Sequence, residues 1–374
     1  MATTLPVMDF DKTIAAQRLN VGGGDAAHYL FGISGPVAGK RIELGDGPVI
    51  LGRRPDATVQ VDDPAVSGHH CRVSLMLDQV IVEDLRSTNG TFLDEEEVDE
   101  PSVFPIGSLL QIGNCLFKHE LRSRDEVRNE ERLAGDLEKA AAYVKSLLPR
   151  PIETETVTTH WRFIPSDKLG GDAFGYHWLD DDRFAVYLVD VCGHGTAPAL
   201  HSVSVINVLR KRSLPDVDFT QPRSVLAALN EAYLMRDHAN MYFTLWYGVF
   251  DRRSGTLSYA SAGHPPALVV GTDGGGVEKL FTPNLSIGML PEATFTDDTV
   301  ELDTPCNLYV YSDGAYEVVT TEGEEWRVDE FLDMVSTGAG APDGELDRIE
   351  SSVRETMQPD EFDDDFSLLV VHFS

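Results

Sequence analysis

The apolar pattern of this sequence changes twice along the chain, and those changes limit the folds that it can adopt. From Tyr29 to about residue 120, short apolar or alternating runs are separated by Gly, Pro, Asp and Asn-Gly turns. Residues 125–148 contain no proline and a single glycine, and residues 152–374 alternate longer apolar runs with helical stretches. Short strands with frequent turns indicate an all-β sandwich. Long strands beside helices indicate an α/β or α+β domain.

Length and charge set further limits. With 374 residues, of which 42% are hydrophobic, the chain is long enough for two domains with packed cores. It has 62 acidic and 30 basic residues, which give a net charge of −32 at pH 7. An excess of this size repels a nucleic-acid backbone, and we find no local basic patch to oppose it. We therefore expect no nucleic-acid partner.

The cysteines and the first residues indicate a compartment. Cys71, Cys115, Cys192 and Cys306 lie far apart without a CxxC pair, which argues against a disulfide framework or a zinc knuckle. The N-terminal residues lack the basic and apolar regions of a signal peptide, and no apolar run approaches the roughly 20 residues that span a bilayer. We expect a cytoplasmic protein that does not act at a membrane.

These patterns divide the chain into four segments. Residues 1–27 are predicted to form a flexible tail, and residues 28–120 a β-sandwich domain. A helical linker is predicted for residues 121–150, and an α+β domain for residues 151–374.

The predicted linker helix has an apolar seam that ends before two prolines. Its apolar residues recur at spacings of four and three: Leu133, Leu137, Ala140, Val144 and Leu147. One interpretation is an amphipathic helix that lies on a neighbouring domain. The other is a linker that forms a homodimer. Two heptads do not decide between them.

Polar residues of the N-terminal domain are concentrated in three turns. Gly52-Arg53-Arg54 follows one strand, Ser67-Gly68-His69-His70 precedes another, and Ser87-Thr88-Asn89-Gly90-Thr91 follows a third. An Arg fork with hydroxyl and amide groups at the tips of one sandwich suits a phosphate beside a peptide backbone. Taken singly, the Asn-Gly pair can be a simple hairpin turn and the serine a loop cap.

Taken together, GR, SxxH and STNGT resemble the forkhead-associated (FHA) domain, a reader of phosphothreonine peptides, over about residues 28–120. The resemblance implies that Arg53 and Ser67 contact the phosphate and that Thr88 assists them. It also implies that Asn89 holds the peptide main chain and that His70 braces the loop. A phosphothreonine-containing protein is the partner implied for this domain.

Aspartates mark the ends of strands in the C-terminal domain. Asp190 and Asp313 end apolar strands, Asp172 lies in a tight turn, and Asp364-Asp365 precedes the final strand. Carboxylates in such places are costly to desolvate unless a positive group meets them, and no Lys or Arg is adjacent in sequence. Oxygen ligands without His or Cys favour Mg²⁺ or Mn²⁺, and several of them suggest two ions about 4 Å apart. A single Asp of this kind would be interpreted as the start of a turn, but four in this pattern favour a metal site.

The C-terminal segment resembles the metal-dependent protein phosphatases of the PPM or type 2C class, in their bacterial SpoIIE-like branch. The resemblance covers residues from about 138 onwards and implies a four-layer αββα sandwich. The motifs that carry it are Leu147-Leu-Pro149, Gly170-Gly-Asp172, Asp190-Val-Cys-Gly-His-Gly195, Ala262-Gly-His-Pro-Pro266, Ser286-Ile-Gly288, Ser312-Asp-Gly314 and Asp364-Asp-Phe-Ser367.

The same resemblance implies a site with two or more Mn²⁺ or Mg²⁺ ions. Asp190 would bridge two ions, and the carbonyl of Val191 would be a further ligand. The shells would be completed by Asp172, Asp313 and Asp364, with Asp365 able to exchange roles with Asp364 by one register. Asp190 and Asp172 would thus be catalytic as well as metal-binding.

His194 is the remaining catalytic candidate. An imidazole can donate a proton to the leaving alkoxide near neutral pH. The alternative, which we favour, is that His194 only positions its glycine loop, and His264 has the same two interpretations.

Two positions depart from the family patterns. The residue after the FHA serine, often Arg or Lys, is Gly68, which predicts a missing phosphate contact and weak affinity. The phosphatase branch often reads GGDxxD, but the second acid is replaced by Gly175. If that acid only supports the turn, Gly175 is tolerated. If it steadies a metal, its loss lowers activity or raises the Mn²⁺ requirement.

The sequence as a whole predicts a metal-dependent Ser/Thr protein phosphatase with a phosphothreonine-binding domain. Hydrolysis would use metal-activated water without a covalent enzyme intermediate. The family's usual substrates are phosphorylated proteins, often antagonists of anti-sigma factors. The alternative is a pseudophosphatase adaptor in which only the FHA domain functions.

Overall fold

The chain divides into two units, Met1–Gly135 and Asp136–Ser374. The computed structural model describes residues 26–272, 277–321, 323–337, 342–357 and 362–374, and the side chains of 342 and 343 are not described. Residues 1–25 of the predicted tail lie outside the described residues. Ala26 and Ala27, which were assigned to that tail, belong to the first strand.

The first unit is a β-sandwich. Its strands β1 to β11 span Ala26–Gly32, Arg41–Leu44, Val49–Gly52, Val59–Gln60, Cys71–Met76, Gln79–Asp84, Thr91–Leu93, Glu96–Glu97, Ser102–Val103, Leu109–Ile112 and Cys115–Ser123. One sheet has the order β2-β1-β11-β10-β7-β8, and the other has the order β4-β3-β5-β6-β9. Side chains such as Leu30, Leu51 and Phe117 fill the core between them. The predicted sandwich is confirmed.

The turns of the sandwich lie at the ends of its strands. In β5, Cys71 and Val73 are buried while Arg72 and Ser74 are partly exposed, the alternation expected of a strand with one face on a core. Because the turns that precede and follow the strands are not part of the ladders, their side chains are available for recognition.

A helix, α1, spans Arg124–Leu147 and crosses the division between the units. Asp125 and Glu126 in its first turn favour this end of the helix dipole. Leu133 of the apolar seam is 61% exposed, whereas Val144 lines a small apolar crevice of the second unit with Ile206. Of the helices in the described part of the chain, none combines the length and apolarity needed to cross a membrane.

The second unit contains two antiparallel sheets. Strands β12 to β21 span Val157–Ile164, Asp172–Trp178, Arg183–Val191, Phe243–Asp251, Thr256–Ala262, Ala267–Gly271, Val277–Leu280, Asp298–Glu301, Cys306–Tyr311 and Phe366–Phe373. The sheets have the orders β12-β21-β20-β17-β18 and β13-β14-β15-β16-β19. The helices α2 to α5 span Thr196–Lys211, Pro222–Ala232, Val328–Ser336 and Pro342–Thr356.

The layers of this unit follow from where the apolar side chains lie. Phe174 and Trp246 from one sheet and Val371 from the other share the core between the sheets. On the outer face of the β13–β19 sheet, α2 and α3 pack through Val205 and Leu226. On the outer face of the β12–β21 sheet, the packing residues of α4 and α5 include Phe331, Leu332, Ile349 and Val353. The predicted αββα sandwich is confirmed.

Candidate active site and candidate phosphopeptide site

Two aspartates face each other at one end of the inner sheets. Asp172, the first residue of β13, pairs in register with Asp190 near the end of β14. Asp172 is 3% exposed, and its Oδ2 atom has no hydrogen-bond partner among the described residues. Asp190 is partly buried, and Thr244 Oγ1 donates to its Oδ2 at 3.5 Å. Two acids in such positions repel each other unless a cation or a proton separates them.

The pKa values of these acids reflect that repulsion. Burial raises the pKa of Asp190 to about 8, assisted by the charges of Asp313, Asp364 and Asp365. Burial and then Asp190 raise the pKa of Asp172 well above its ordinary value, while nearby serine hydroxyls oppose the rise. The carboxylates are therefore close enough to act on one another as a cluster.

Asp313 reaches the cluster from the other sheet. It begins a 3₁₀ turn, Asp313–Ala315, after β20, which pairs with the final strand β21. Ser312 Oγ donates to the carbonyl of Asp365 at 2.8 Å, which holds the two chain segments together. Burial raises the pKa of Asp313 to about 6, with further contributions from Glu317 and Asp364. Strand pairing thus brings residues distant in sequence to one edge.

Asp364 and Asp365 differ in their surroundings. Asp365 is 3% exposed, and its Oδ1 accepts hydrogen bonds from the backbone N and Oγ of Ser166 at 2.9 and 3.1 Å. Its Oδ2 accepts from the backbone N of Asp172 at 3.2 Å. Asp364 is exposed, and its Oδ1 accepts from the backbone N of Asp365. Asp365 thus braces the turn, while Asp364 keeps an oxygen available for a ligand.

Glycines let the loops approach these groups. A Cβ on Gly170 would overlap the Asp365 carboxylate, and a Cβ on Gly171 would lie 2.6 Å from the carbonyl oxygen of Val191. Gly193 has a φ of 85°, in the region that favours glycine. The carbonyl of Val191 is therefore held beside the Asp172 turn.

The two histidine candidates have different environments. His194 is exposed. Burial raises the pKa of Asp364, and the charge of His194 is near enough to oppose part of that rise. His264 is 2% exposed, and its Nδ1 lies 3.0 Å from the carbonyl oxygen of Pro265. Burial lowers the pKa of His264 to about 4, so this imidazole is neutral near pH 7. Only His194 is accessible to a substrate without rearrangement.

The acids fit a hard divalent cation in donor type and in electrostatics. Their atoms are oxygens, one buried oxygen of Asp172 lacks a donor, and the pKa values are raised by like charges. Among the residues that the structure describes, no three acidic, His or Cys side chains are grouped closely enough to enclose an ion. Side-chain rotation on binding would therefore be needed to complete a coordination shell.

Gly175, where the family often has an acid, lies under an aromatic ring. It pairs with Tyr187 across β13 and β14, and a Cβ there would lie 2.5 to 2.6 Å from the ring atoms of Tyr187. Tyr187 is 1% exposed and stacks on Tyr247. The ring of Tyr187 therefore occupies the space that an acidic side chain at position 175 would need.

The predicted phosphopeptide residues come together at the tip of the first unit. Thr88 donates from its backbone N to Ser67 Oγ at 2.9 Å, and Ser67 Oγ donates to Thr88 Oγ1 at 3.2 Å. The backbone N of Arg53 donates to the carbonyl of Ser67 at 2.9 Å. Asn89 Nδ2 donates to the carbonyl of Ala65 at 2.7 Å. These four residues thus belong to three loops that are bonded to one another.

His70 joins two of those loops. It is fully buried, and its Nδ1 accepts a hydrogen bond from the backbone N of Ser67 at 3.0 Å. Its Nε2 therefore carries the proton and donates to the carbonyl of Gly90 at 3.0 Å. A Cβ on Gly52 would overlap the carbonyl of Gly68, so the first two loops also need a glycine where they meet.

Sequence reasoning missed several residues of the candidate active site. The brace formed by Asp365 and Ser166, and the Thr244 hydroxyl on Asp190, connect segments that are far apart in the chain. In the sequence, only the adjacent glycines Gly170 and Gly171 indicate that other segments lie close to the backbone of the Asp172 turn.

Two family models match the chain. The model described as stage II sporulation protein E (SpoIIE) matches residues 180–374, and the FHA domain model matches residues 49–113. The phosphoserine phosphatase RsbP of Bacillus subtilis is 28% identical over 180 residues, 48% of this chain and 44% of RsbP. The FHA domain-containing protein FhaB of Mycobacterium tuberculosis is 42% identical over 93 residues, 25% of this chain and 60% of FhaB. The chain thus spans less than two thirds of either relative.

A solved structure supports the fold of the second unit. The SiaA-PP2C domain of Pseudomonas aeruginosa aligns with a TM-score of 0.57 and 19% identity, covering 66% of this chain and 99% of that domain. At this identity, the likeness concerns the fold. Because the matched family model spans more than half of the 374 residues and includes Asp190 and Asp313, the chain belongs to the stage II sporulation protein E family, with an FHA domain preceding the matched segment.

Proposed function

We propose that the chain is a divalent-cation-dependent Ser/Thr protein phosphatase whose FHA domain binds phosphothreonine proteins. The observation that carries the enzymatic part is the facing pair Asp172 and Asp190, with pKa values raised by burial and by neighbouring acids. Such a cluster is costly to fold as anions and becomes favourable when divalent cations neutralise it. The name of RsbP, a phosphoserine phosphatase, supports the substrate class.

Five groups are proposed to hold Mn²⁺ or Mg²⁺. Asp190 would bridge two ions, with the Val191 carbonyl beside it, and Asp172, Asp313 and Asp364 would complete the shells. Bound divalent cations lower the pKa of water and neutralise charge on phosphoryl oxygens. The raised pKa values imply that these acids lose protons as the cations bind.

The chain's own groups orient this site. The Asp365 carboxylate accepts hydrogen bonds from the backbone N atoms of Ser166 and Asp172. These bonds fix the turn that carries the Asp172 carboxylate. His194, exposed beside Asp364, is the group that can deliver a proton to the leaving alkoxide. Because it lies on the Gly193–Gly195 loop, loop positioning remains its alternative role, and a His194→Asn variant with unchanged kcat across pH would select that alternative.

Metal-dependent turnover tests the enzymatic proposal. The parent should release phosphate from p-nitrophenyl phosphate with Mn²⁺ and should lose this activity with a chelator. Asp190→Asn should lose it by a factor of at least about 100, whereas Asp181→Asn, an exposed acid in the β13–β14 hairpin, should retain it. Absence of turnover at millimolar Mn²⁺ would contradict the proposal.

The specific alternative is the pseudophosphatase adaptor. Two observations favour it. The described acidic side chains are not grouped closely enough to enclose an ion, and Gly175 occupies the position where the family often has an acid. An adaptor would bind phosphothreonine peptides through Arg53 and show no Mn²⁺-dependent turnover. Peptide binding and phosphate release, measured on the same preparation, therefore separate the two functions.

For the FHA domain we propose that Arg53, Ser67 and Thr88 contact the phosphate and that Asn89 holds the peptide backbone. The support is the set of hydrogen bonds that joins the loops on which these four residues lie. A phosphothreonine peptide array should lose binding to Arg53→Ala. Equal binding by the parent and by this variant would remove the claim.

The finer partners are also proposals. One candidate substrate is a phosphorylated antagonist of an anti-sigma factor, and a homodimer through α1 is one of the two roles open to that helix, the other being packing on a neighbouring domain. The 61% exposure of Leu133 supports a partner for that part of the helix. Sedimentation of the parent and of Leu133→Glu tests the dimer, since a charge in an apolar seam should shift the protein towards monomer.

A further inference from the structure

Arg54 lies over a glycine at the tip of the FHA domain. A Cβ added to Gly68 would lie 3.0 Å from Nε of Arg54 and 3.1 Å from its Cδ and Cγ atoms. The backbone N of Arg54 donates to the carbonyl of Gly68 at 3.1 Å, beside the equivalent bond from Arg53 to Ser67. The stem of Arg54 therefore occupies the space that a side chain at position 68 would need.

The guanidinium of Arg54 has no acidic partner in the described part of the chain. Most described arginines of this unit contact carboxylates, among them Arg41, Arg72, Arg122, Arg124 and Arg128. Arg53 and Arg54 are exposed and show no such contact, and the same holds for Arg86, two residues before Thr88. The nearby carboxylate of Asp56 contacts His69 Nε2 at 3.2 Å.

Arg53 and Arg54 are adjacent and have no carboxylate partner in the described part of a chain whose net charge is −32. Two neighbouring guanidinium groups repel each other, and a surface rich in acids offers partners to neutralise them. Here backbone hydrogen bonds place Arg53 beside Ser67 and Arg54 beside Gly68, the residue that follows it. Arginines without carboxylate partners at one loop tip favour the binding of a multivalent anion there.

We propose that Arg54 is a second phosphate-binding cation, which supplies from the neighbouring loop the positive charge that Gly68 lacks. The proposal rests on the proposed phosphothreonine-binding function of this domain. A phosphothreonine carries a charge of about −1.5 to −2 and three acceptor oxygens, which one guanidinium does not satisfy. The predicted loss of a contact at Gly68 would then be offset by Arg54.

Two substitutions separate the charge of Arg54 from its packing on Gly68. Arg54→Met keeps an unbranched stem over the glycine but removes the charge, and Arg54→Lys keeps both. Arg128→Met removes an exposed arginine on α1 and is the matched control. The probe is a fluorescent pool of peptides with phosphothreonine at a fixed position and random flanks, with the unphosphorylated pool as reference, measured by anisotropy on the full chain.

The expected result is a loss of affinity in Arg54→Met by a factor of about 10 to 100, the effect of losing a charge-assisted hydrogen bond. Arg54→Lys should lose much less, and Arg128→Met should bind as the parent does. The dependence of affinity on salt should also become shallower in Arg54→Met, since one ionic contact is removed.

Moving the charge to the other loop gives a second test. Arg54→Ala combined with Gly68→Arg frees the space over position 68 and returns a guanidinium to the same place. This double variant should recover most of the affinity that Arg54→Ala loses. Recovery would support a role of charge at the phosphate, because the native stem packing is absent from the double variant.

The outcomes distinguish this inference from the proposed function. If the parent binds the phosphorylated pool and Arg53→Ala does not, but Arg54→Met binds as the parent does, the inference is overturned and the reader function stands. If the parent shows no preference for the phosphorylated pool, both fall. Thermal unfolding of each variant shows whether the domain remains folded, and Arg54→Lys provides a folded reference.

Discussion

Asp172 and Asp190 occupy facing positions on paired strands, and burial and neighbouring acids raise the pKa values of both. Within the described residues, no lysine or arginine is hydrogen-bonded to either carboxyl. The backbone ladder between β13 and β14 holds them there whether or not a cation is bound. We therefore expect the pair to destabilise the cation-free fold and to favour the binding of a divalent cation.

Asp190→Asn is expected to stabilise the metal-free protein. Because the pKa of Asp190 is raised to about 8, folding near pH 7 requires this acid to take up a proton, a cost that an amide avoids. We expect the unfolding free energy in chelator to rise by about 1 to 3 kcal/mol. Thermal unfolding in EDTA and then in Mn²⁺ measures this. The parent should gain stability with Mn²⁺ and the variant should not, whereas Asp181→Asn should follow the parent. A metal-free variant less stable than the parent would contradict the repulsion.

Asp364→Asn and Asp365→Asn should have opposite effects. Asp365 accepts three hydrogen bonds from Ser166 and Asp172, so an amide in its place meets a backbone donor and should lower the unfolding free energy by about 1 to 2 kcal/mol. Asp364→Asn removes a charge that raises the pKa values of Asp190 and Asp313, so it should raise the metal-free stability slightly but weaken the stabilisation by Mn²⁺. Denaturant unfolding with a Mn²⁺ titration checks both, and the reversed pattern would exchange the two roles.

Restoring the family acid at position 175 should not restore a metal ligand. In Gly175→Asp the new side chain meets the buried ring of Tyr187, and we expect a loss of about 2 to 4 kcal/mol without tighter Mn²⁺ binding. Gly344→Ala, at a glycine with open space around its Cβ position, is the control and should be neutral or stabilising. Tighter Mn²⁺ binding by Gly175→Asp would show that the acid acts in the site.

His264 should make stability depend on pH. Its pKa is lowered to about 4 in the folded protein and is about 6.5 when unfolded, so its contribution is complete above about pH 6.5 and is lost as the pH falls towards 4. Between about pH 7.5 and 5.5 the parent should lose about 1.3 kcal/mol relative to His264→Asn, whose amide can replace the Nδ1 donor. Denaturant unfolding at both pH values measures the difference, and a constant difference would exclude a buried neutral imidazole.

The architecture was predictable because it depends on local pattern and on motifs. Strand alternation indicated the sandwich, and the positions of Asp190 and Asp313 at strand ends indicated the edge at which the acids meet. The linker helix followed from a proline-free stretch, and its observed span is Arg124–Leu147.

The details of both sites were not predictable because they depend on pairing between distant segments. Asp365 bonds to Ser166 across 199 residues, and nothing near either residue indicates the contact. Gly175 was interpreted as a lost acid, but its register opposite Tyr187 shows a packing requirement. Arg54 and Gly68 are likewise related only through the meeting of two loops.

The bridge made by His70 has a consequence for the speed of recognition. Because one imidazole joins the Ser67 loop to the Gly90 turn inside the folded domain, the surface that we propose binds the phosphopeptide is assembled in advance. An incoming chain then has little protein motion to wait for, and most of the entropy lost on association belongs to the peptide itself. Encounters should be limited by diffusion and orientation, and the lifetime of the complex should determine which phosphorylated partners are retained.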